Sequence, residues 1–325
     1  MENQSFLNAP DRKPPPQRSK AVIGVLLCTY NGEQYLSQQI DSIIDQSHEN
    51  WKIYVSDDGS TDDTLQILES YKKQLGEERL QIFQGPQDGF AKNFLSLINR
   101  EEIDADYFAF SDQDDIWLKD KLERSLHLLS NTPGNAPNLY CSRTLLFGST
   151  QTKSEMSPLF QALPSFKNAL VQSLAGGNTM LINQQSRELL KRIDSNQKII
   201  SHDWITYLVV SGCGGHVVYD PEPTVLYRQH ENNLIGGNMN LRERVSRLRK
   251  VLSGSFIEWN DHNLVIINSF KTLLTEQNKA TLEIFEQARN SHLFGRIALI
   301  VKSGVYRQTV AGNISLALAT ILNKL

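Results

Sequence analysis

The chain has 325 residues, 40% of them apolar, enough to bury one sizeable core with a smaller appendage. Its formal net charge of -3 offers no general attraction to nucleic acid, and its mean hydropathy of -0.36 is not that of a chain threaded through lipid. Cys28, Cys141 and Cys213 stand far apart without CxxC or Cys/His spacing, which argues against a disulfide framework and a zinc site and for reduced thiols in the cytoplasm.

Residues 1–19 are polar, carry Pro14, Pro15 and Pro16 and lack an apolar stretch, so they read as a disordered arm rather than a signal peptide. An apolar run from Ala21 to Cys28 reads as a strand, and Leu36, Ile40, Ile43 and Ile44 follow at helical spacing. The pattern repeats. Trp51 to Ser56 reads as a strand, with Ser60 placed to cap a helix whose apolar face is Leu65, Leu68 and Tyr71. A strand from Leu80 to Phe83, a helix around Phe94 to Ile98 and a buried strand from Tyr107 to Phe110 come next. Such alternation predicts an α/β fold: a Rossmann-like, mostly parallel sheet with helices on both faces.

Past Phe110 the spacing is less regular. Strands are expected at Leu139 to Phe147, Asn178 to Ile182, His216 to Tyr219 and Thr224 to Tyr227, with a helix at His202 to Val210. From about Leu241 onward the pattern is helical and charged, a helical C-terminal extension. Gly236 and Gly237 mark the expected boundary, dividing a domain over residues 20–236 from an extension over 237–325.

In open α/β sheets ligands bind beyond the carboxyl ends of the strands. Three such ends are polar here: Thr29-Tyr30-Asn31-Gly32-Glu33, Asp57-Asp58-Gly59-Ser60 and Ser111-Asp112-Gln113-Asp114-Asp115. Asp112, Asp114 and Asp115 repel one another unless a cation lies between them, and Mg²⁺ or Mn²⁺ with phosphate oxygens suits the set. An isolated acidic turn serves equally well to cap the helix expected near Leu118. No GxxxxGKS and no GxGxxG follows the first strand, so phosphate-loop and dinucleotide-binding readings lose their support.

With these motifs in order, LLCTYNGEQYL, VSDDGSTDDT, GFAKNF, FSDQDDIW, His202-Asp203-Trp204 and YRQHENNLIG, the chain resembles the family 2 glycosyltransferases of GT-A fold, and their rhamnosyltransferase-like branch, from about Val22 to Gly236. The resemblance implies an inverting transfer of rhamnose from dTDP-rhamnose, or of a hexose from a UDP-sugar, to a glycan or lipid-linked glycan acceptor of a surface polysaccharide. It implies that Asp58, with Asp57, accepts the imide N–H of uracil or thymine, and that Thr29 and Tyr30 line base and ribose. Asp112 resembles the ribose contact, Asp114 the ligand of Mg²⁺ or Mn²⁺, and Asp203 the general base. His230 resembles a further metal ligand or diphosphate contact, although a lone histidine is more often structural. Lys92 and Asn93 stand where donor phosphate or sugar is contacted, a place where a solvated lysine is equally at home.

Gly176 and Gly177 admit a close backbone approach by donor or acceptor, or simply a tight turn. Trp117 and Trp204 offer sugar platforms or core packing. Leu241, Val245, Leu248 and Leu252 share one face of a basic segment with Arg242, Arg244, Arg247, Arg249 and Lys250 around it. Such a helix packs on the core with a solvated basic face, or lies on the anionic inner membrane with help from the apolar stretch Val310 to Leu322, Lys302, Arg307 and Lys324. That stretch falls short of the roughly 20 apolar residues a spanning helix needs. Rival readings are a sugar nucleotidyltransferase, which would want a Gly-rich basic loop after the first strand, and a non-catalytic nucleotide-sugar or glycan-binding module, which would need no acceptor-side base.

Overall fold

The computed structural model describes residues 20–148, 155–229 and 255–325. The N-terminal arm, His230, the boundary glycines Gly236 and Gly237 and the basic segment Leu241 to Leu252 lie outside the described residues.

Strand and helix alternate as expected: β1 (Ile23–Thr29), α1 (Leu36–Ile44), β2 (Trp51–Asp57), α2 (Thr64–Leu75), β3 (Leu80–Gln84), α3 (Phe90–Asn99) and β4 (Tyr107–Ser111). The four strands line up as β3-β2-β1-β4, all parallel, with Thr29 level with Asp57. Every residue of β1 is buried. Its side chains alternate between two cores: Leu26 points to one with Phe94, Phe108 and Phe110, whereas Val25 and Leu27 point to the other with Ile40, Ile53 and Val55. A strand covered on both faces must be apolar throughout, which is why the run from Ala21 to Cys28 does not alternate with polar residues.

The sheet then changes character. After β5 (Ile116–Trp117) and α4 (Lys121–Leu129) come β6 (Asn138–Gly148), β7 (Glu155–Met156), α5 (Phe166–Ala169), a 3-10 turn at Gly177–Thr179, β8 (Leu181–Asn183), α6 (Gln184–Leu190), α7 (His202–Gly212) and β9 (His216–Gln229). Strand β8 pairs antiparallel with β4, and the order continues β8-β6-β9-β5, so the parallel half runs into a mixed half. The two strands expected between His216 and Tyr227 are one long strand, because β9 pairs with β6 through a register shift opposite Arg143. Asp220 pins that irregularity, accepting from Arg124 Nη2 at 2.8 Å and from the Tyr140 hydroxyl at 2.9 Å.

Two local expectations are corrected. Ser60 does not cap α2: its hydroxyl donates to Asp57 Oδ2 at 2.6 Å, and Asp62 takes the first-turn N–H of Thr64 at 3.0 Å. Asn178 lies in the 3-10 turn rather than in a strand, since the backbone N–H groups of Thr179 and Met180 bond back to Gly176 and Gly177.

The C-terminal region is helical, with α8 (Ser255–Ser269), α9 (Glu276–Arg289), α10 (Leu293–Ser303) and α11 (Val310–Ile321). It joins the core on the α3 and α7 side, where Phe256, Ile267, Phe270, Leu282 and Phe285 are buried. Asn278 Nδ2 donates to the carbonyls of Ser211 and Gly212, serving the open carbonyl end of α7. Among the described residues no helix is long and apolar enough to cross a membrane.

Candidate active site

The loops after β1 and β2 are laced together. Thr29 Oγ1 donates to Asp57 Oδ2 at 2.8 Å, the Asp58 N–H bonds the Thr29 carbonyl at 2.8 Å, and Asn31, at φ 47°, bonds Ser60 through its N–H and Thr61 through its side chain. Asp57 also accepts from the backbone N–H groups of Gly59 and Ser60. Its carboxylate therefore ties β2 to β1 and faces the turn rather than the crevice.

Asp58 is held from the other side. Its two oxygens accept the backbone N–H groups of Gln87 at 2.6 Å and Gly89 at 3.1 Å, which anchors the loop between β3 and α3. Gly85 in that loop is obligatory: a β-carbon there would stand 2.8 Å from Asp58 Oδ1 and 2.7 Å from Asn93 Oδ1. Each carboxylate oxygen has two lone pairs, so the anchoring leaves acceptor capacity for a ligand. Tyr30 stands at the mouth of the crevice, 58% exposed, its backbone clamped by Gln113, whose side chain accepts from Tyr30 N at 2.8 Å and donates to Tyr30 O at 2.9 Å. Lys92 reaches Asp88, just before the start of α3, at 2.6 Å, so its charge is already partnered.

The acidic loop after β4 divides its labour. Asp115 is fully buried; it accepts from Asn178 Nδ2 at 2.5 Å and from Arg228 N at 3.1 Å, and burial and Asp114 together push its carboxyl up to about 7. Lys121, equally buried, donates to the Asn178 carbonyl at 2.9 Å and is brought down to about 7 by that burial. Arg228 completes the bracket, bonding the Asp114 carbonyl at 2.8 Å and stacking on Tyr35 and Phe147. Asp115 is thus a structural strut that holds the loop to β9 and to the 3-10 turn.

Asp112 stands close to Asp114, Asp115 and Asp203. Burial raises its carboxyl well above the usual carboxylate range, and Asp115, Asp114 and Asp203 push it the same way. Cys28 on β1 has its thiol raised by burial and then by Asp112 and Asp58, which places those two carboxylates on either side of it. Asp58, Asp112, Asp114 and Asp203 therefore lie in one region, although they come from three separate stretches of chain.

Asp203 opens α7, where its Oδ1 accepts the Trp204 N–H at 2.6 Å and burial raises its carboxyl. Its neighbour His202 is walled in by aromatic rings, stacked on Phe94 at 3.9 Å with Phe110 edge-on at 5.1 Å, and neither ring nitrogen has a hydrogen-bond partner. Burial lowers its imidazole to about 3, so it is neutral. Gly177 lies against that ring, so this glycine makes room for a side chain of the protein itself. Trp204 donates Nε1 to the Ala169 carbonyl at 2.7 Å and packs on Trp259, and Trp117 is 3% exposed; both tryptophans are core residues rather than sugar platforms.

Among the described residues no three His, Cys, Asp or Glu side chains converge as a ready-made metal cage. The donor set nonetheless fits a hard divalent cation whose shell is completed by phosphate and water, because Mg²⁺ is commonly held by one or two carboxylates plus a substrate diphosphate. Asp114 would meet such a cation, and Asp112 beside it is raised first by burial and then by the charges of Asp115, Asp114 and Asp203, charges that a cation would offset. The contributions of Gln113 and Lys121 have no sequence signal beyond their nearness to the acidic motifs, and that of Arg228 none beyond its place in YRQHENNLIG.

Residues 24–186 match the family model described as glycosyl transferase family 2. The dTDP-rhamnosyl transferase RfbG of Shigella flexneri is 33% identical over 230 residues, 68% of this chain and 78% of that protein. TuaG of Bacillus subtilis (strain 168), a glycosyltransferase assigned provisionally to teichuronic acid biosynthesis, is 35% identical over 110 residues, 34% of this chain and 42% of its own. Among solved structures, TarS 1-349 of S. aureus in complex with UDP-GlcNAc superposes with a TM-score of 0.53 at 14% identity, covering 93% of this chain and 88% of that one. The mannosyltransferase PcManGT of Pyrobaculum calidifontis in complex with GDP-Man and Mn2+ gives 0.52 at 13%, covering 98% and 90%. The fold is of GT-A type, and the chain belongs to glycosyl transferase family 2.

Proposed function

We propose that this glycosyltransferase moves rhamnose from dTDP-rhamnose, or a hexose from a UDP-sugar, with inversion onto a glycan or lipid-linked glycan acceptor in cell-surface polysaccharide biosynthesis, O-antigen or capsule. The observation that supports the reading is the nearness of Asp203, buried at the start of α7, to Asp112 and Asp114 of the acidic loop. The identity to RfbG supports rhamnose from a dTDP donor, and the match to TuaG supports a polysaccharide product. Three free thiols support a reducing, cytoplasmic setting.

In this reading Asp58 accepts the imide N–H that uracil and thymine share, beside Tyr30 and Thr29, and Asp112 takes the ribose. Asp114 would hold Mg²⁺ or Mn²⁺, which when bound would supply positive charge to the departing nucleoside diphosphate. Asp203 takes the proton of the acceptor hydroxyl. As the oxygen of that hydroxyl bonds the anomeric carbon from the face opposite the diphosphate, the old carbon–oxygen bond breaks and its electron pair leaves with the phosphate. His230, outside the described residues, is proposed only as a further contact to metal or diphosphate.

The test is thermal denaturation with UDP, dTDP, GDP or ADP, each with and without Mn²⁺, since a ligand bound only by the folded state raises Tm. A Mn²⁺-dependent rise with dTDP or UDP that disappears in Asp114→Ala supports the reading. No rise with either pyrimidine diphosphate, or an undiminished rise in Asp114→Ala, refutes it.

A further inference from the structure

The geometry points to α10 and α11 as an amphipathic pair that docks this chain flat on an anionic lipid surface. On α10, Phe294, Ile297 and Val301 recur at three and then four residues, with exposures of 86%, 37% and 76%. On α11, Val310, Ile314, Leu318 and Ile321 recur at four, four and three, exposed 79%, 58%, 39% and 50%. These spacings define one stripe on each helix, the pattern that ordinarily faces a core. The opposite sides are already packed, with Ser303, Leu316, Ala319 and Thr320 buried. Buried Arg296 donates to the Thr320 carbonyl at 2.9 Å and to the Ser291 carbonyl at 2.9 Å, which fastens α10 to α11 so that the two stripes belong to one unit.

Charge selects the occupant. Residues 291–325 contain no Asp or Glu and, besides the buried Arg296, three basic residues, Lys302, Arg307 and Lys324, in a chain whose net charge is -3. The nearest acids on α9 are engaged elsewhere, Glu283 with Lys271 at 3.0 Å and Glu286 with Asn268 at 2.6 Å. A second copy would bring like charges together across the face, whereas anionic headgroups complement it. The helices have 11 and 12 residues, about 16–18 Å of helix, too short for a hydrocarbon core of about 30 Å, so they lie in the plane of the interface. This docking stands whether or not the donor assignment does, and it would bring a lipid-linked acceptor to the crevice.

The experiment is flotation of the full chain with vesicles of phosphatidylcholine alone or mixed with phosphatidylglycerol, at low and high salt, with light scattering to follow oligomeric state. Expected are flotation with the anionic vesicles only, loss at high salt, and a fall in the bound-to-free ratio of at least about tenfold in Phe294→Glu/Ile314→Glu with an unchanged melting curve. Val301→Gln, a milder change at an open position, serves the same purpose should the double variant not fold. No flotation, equal flotation with neutral vesicles, binding untouched by either variant, or a dimer that these variants dissociate would each overturn the inference.

Discussion

Gly177 and His202 touch so closely that a β-carbon on the glycine would stand 2.0 Å from Nε2 of the imidazole. The ring has nowhere to retreat, being stacked on Phe94 and flanked by Phe90 and Phe110. This contact sets the 3-10 turn that carries Asn178 in register with the helix that carries Asp203. Gly177→Ala should therefore destabilise the chain by about 1–3 kcal/mol and depress transfer beyond what lost stability explains, because overpacking here displaces the α7 N-terminus. Urea denaturation with transfer rates measured well below Tm checks it; a variant of unchanged rate would place Asp203 beyond the influence of the turn.

His202 should also make the fold acid-sensitive. Its imidazole titrates at about 3 when folded, through burial, against 6.5 ordinarily, so between those values the unfolded chain binds the extra proton. Its share of stability is complete above about pH 6.5 and is lost as pH falls towards 3. His202→Leu should flatten the stability-against-pH curve in that window by up to about 1.4 kcal/mol per pH unit, readable from urea melts at several pH values. An unchanged slope would mean that the native ring takes up a proton as readily as the unfolded one.

Removing the proposed base, Asp203, should cost far more rate than affinity. Asp203→Asn is expected to lower transfer about 10²–10⁴-fold while nucleotide-induced thermal shifts persist. Because burial raises the carboxyl, wild-type transfer should fall on the acid side at a pH above the ordinary carboxylate range, and that limb should disappear from the residual activity of the variant. A rate profile whose acid limb is identical in both proteins would assign proton removal elsewhere.

Asp115 should behave as a strut. Asp115→Ala leaves the buried Asn178 amide and the Arg228 N–H without their acceptor, a loss of about 2–4 kcal/mol in a chemical denaturation curve. A variant as stable as the parent would show that the acidic loop is held by Arg228 and its stacking on Tyr35 alone.

The parallel half of the sheet was legible because each strand there is a continuous apolar run closed by a polar turn, and each helix repeats its apolar residues at three and four. The acidic loop was legible as a site, since so many carboxylates at one strand end require a reason. That Asp115 turns inward was not. Neighbouring residues in a loop have no fixed period, so which carboxylate turns inward depends on partners more than 60 residues away in sequence, Asn178 and Arg228. The glycines at 176 and 177 were visible as small residues, but that His202 fills the space beside Gly177 follows only from the packing of α7 on the 3-10 turn.

By itself, then, the sequence determined the alternating α/β order and the polar strand ends, because periodicity and composition are local properties. Only the tertiary structure decided the merging of β9 into one strand, the antiparallel half of the sheet, the core fate of Trp117 and Trp204, and the open apolar stripes of α10 and α11. Each of those depends on which surfaces meet across the chain, and a helix shows the same apolar spacing whether its stripe is covered or left bare.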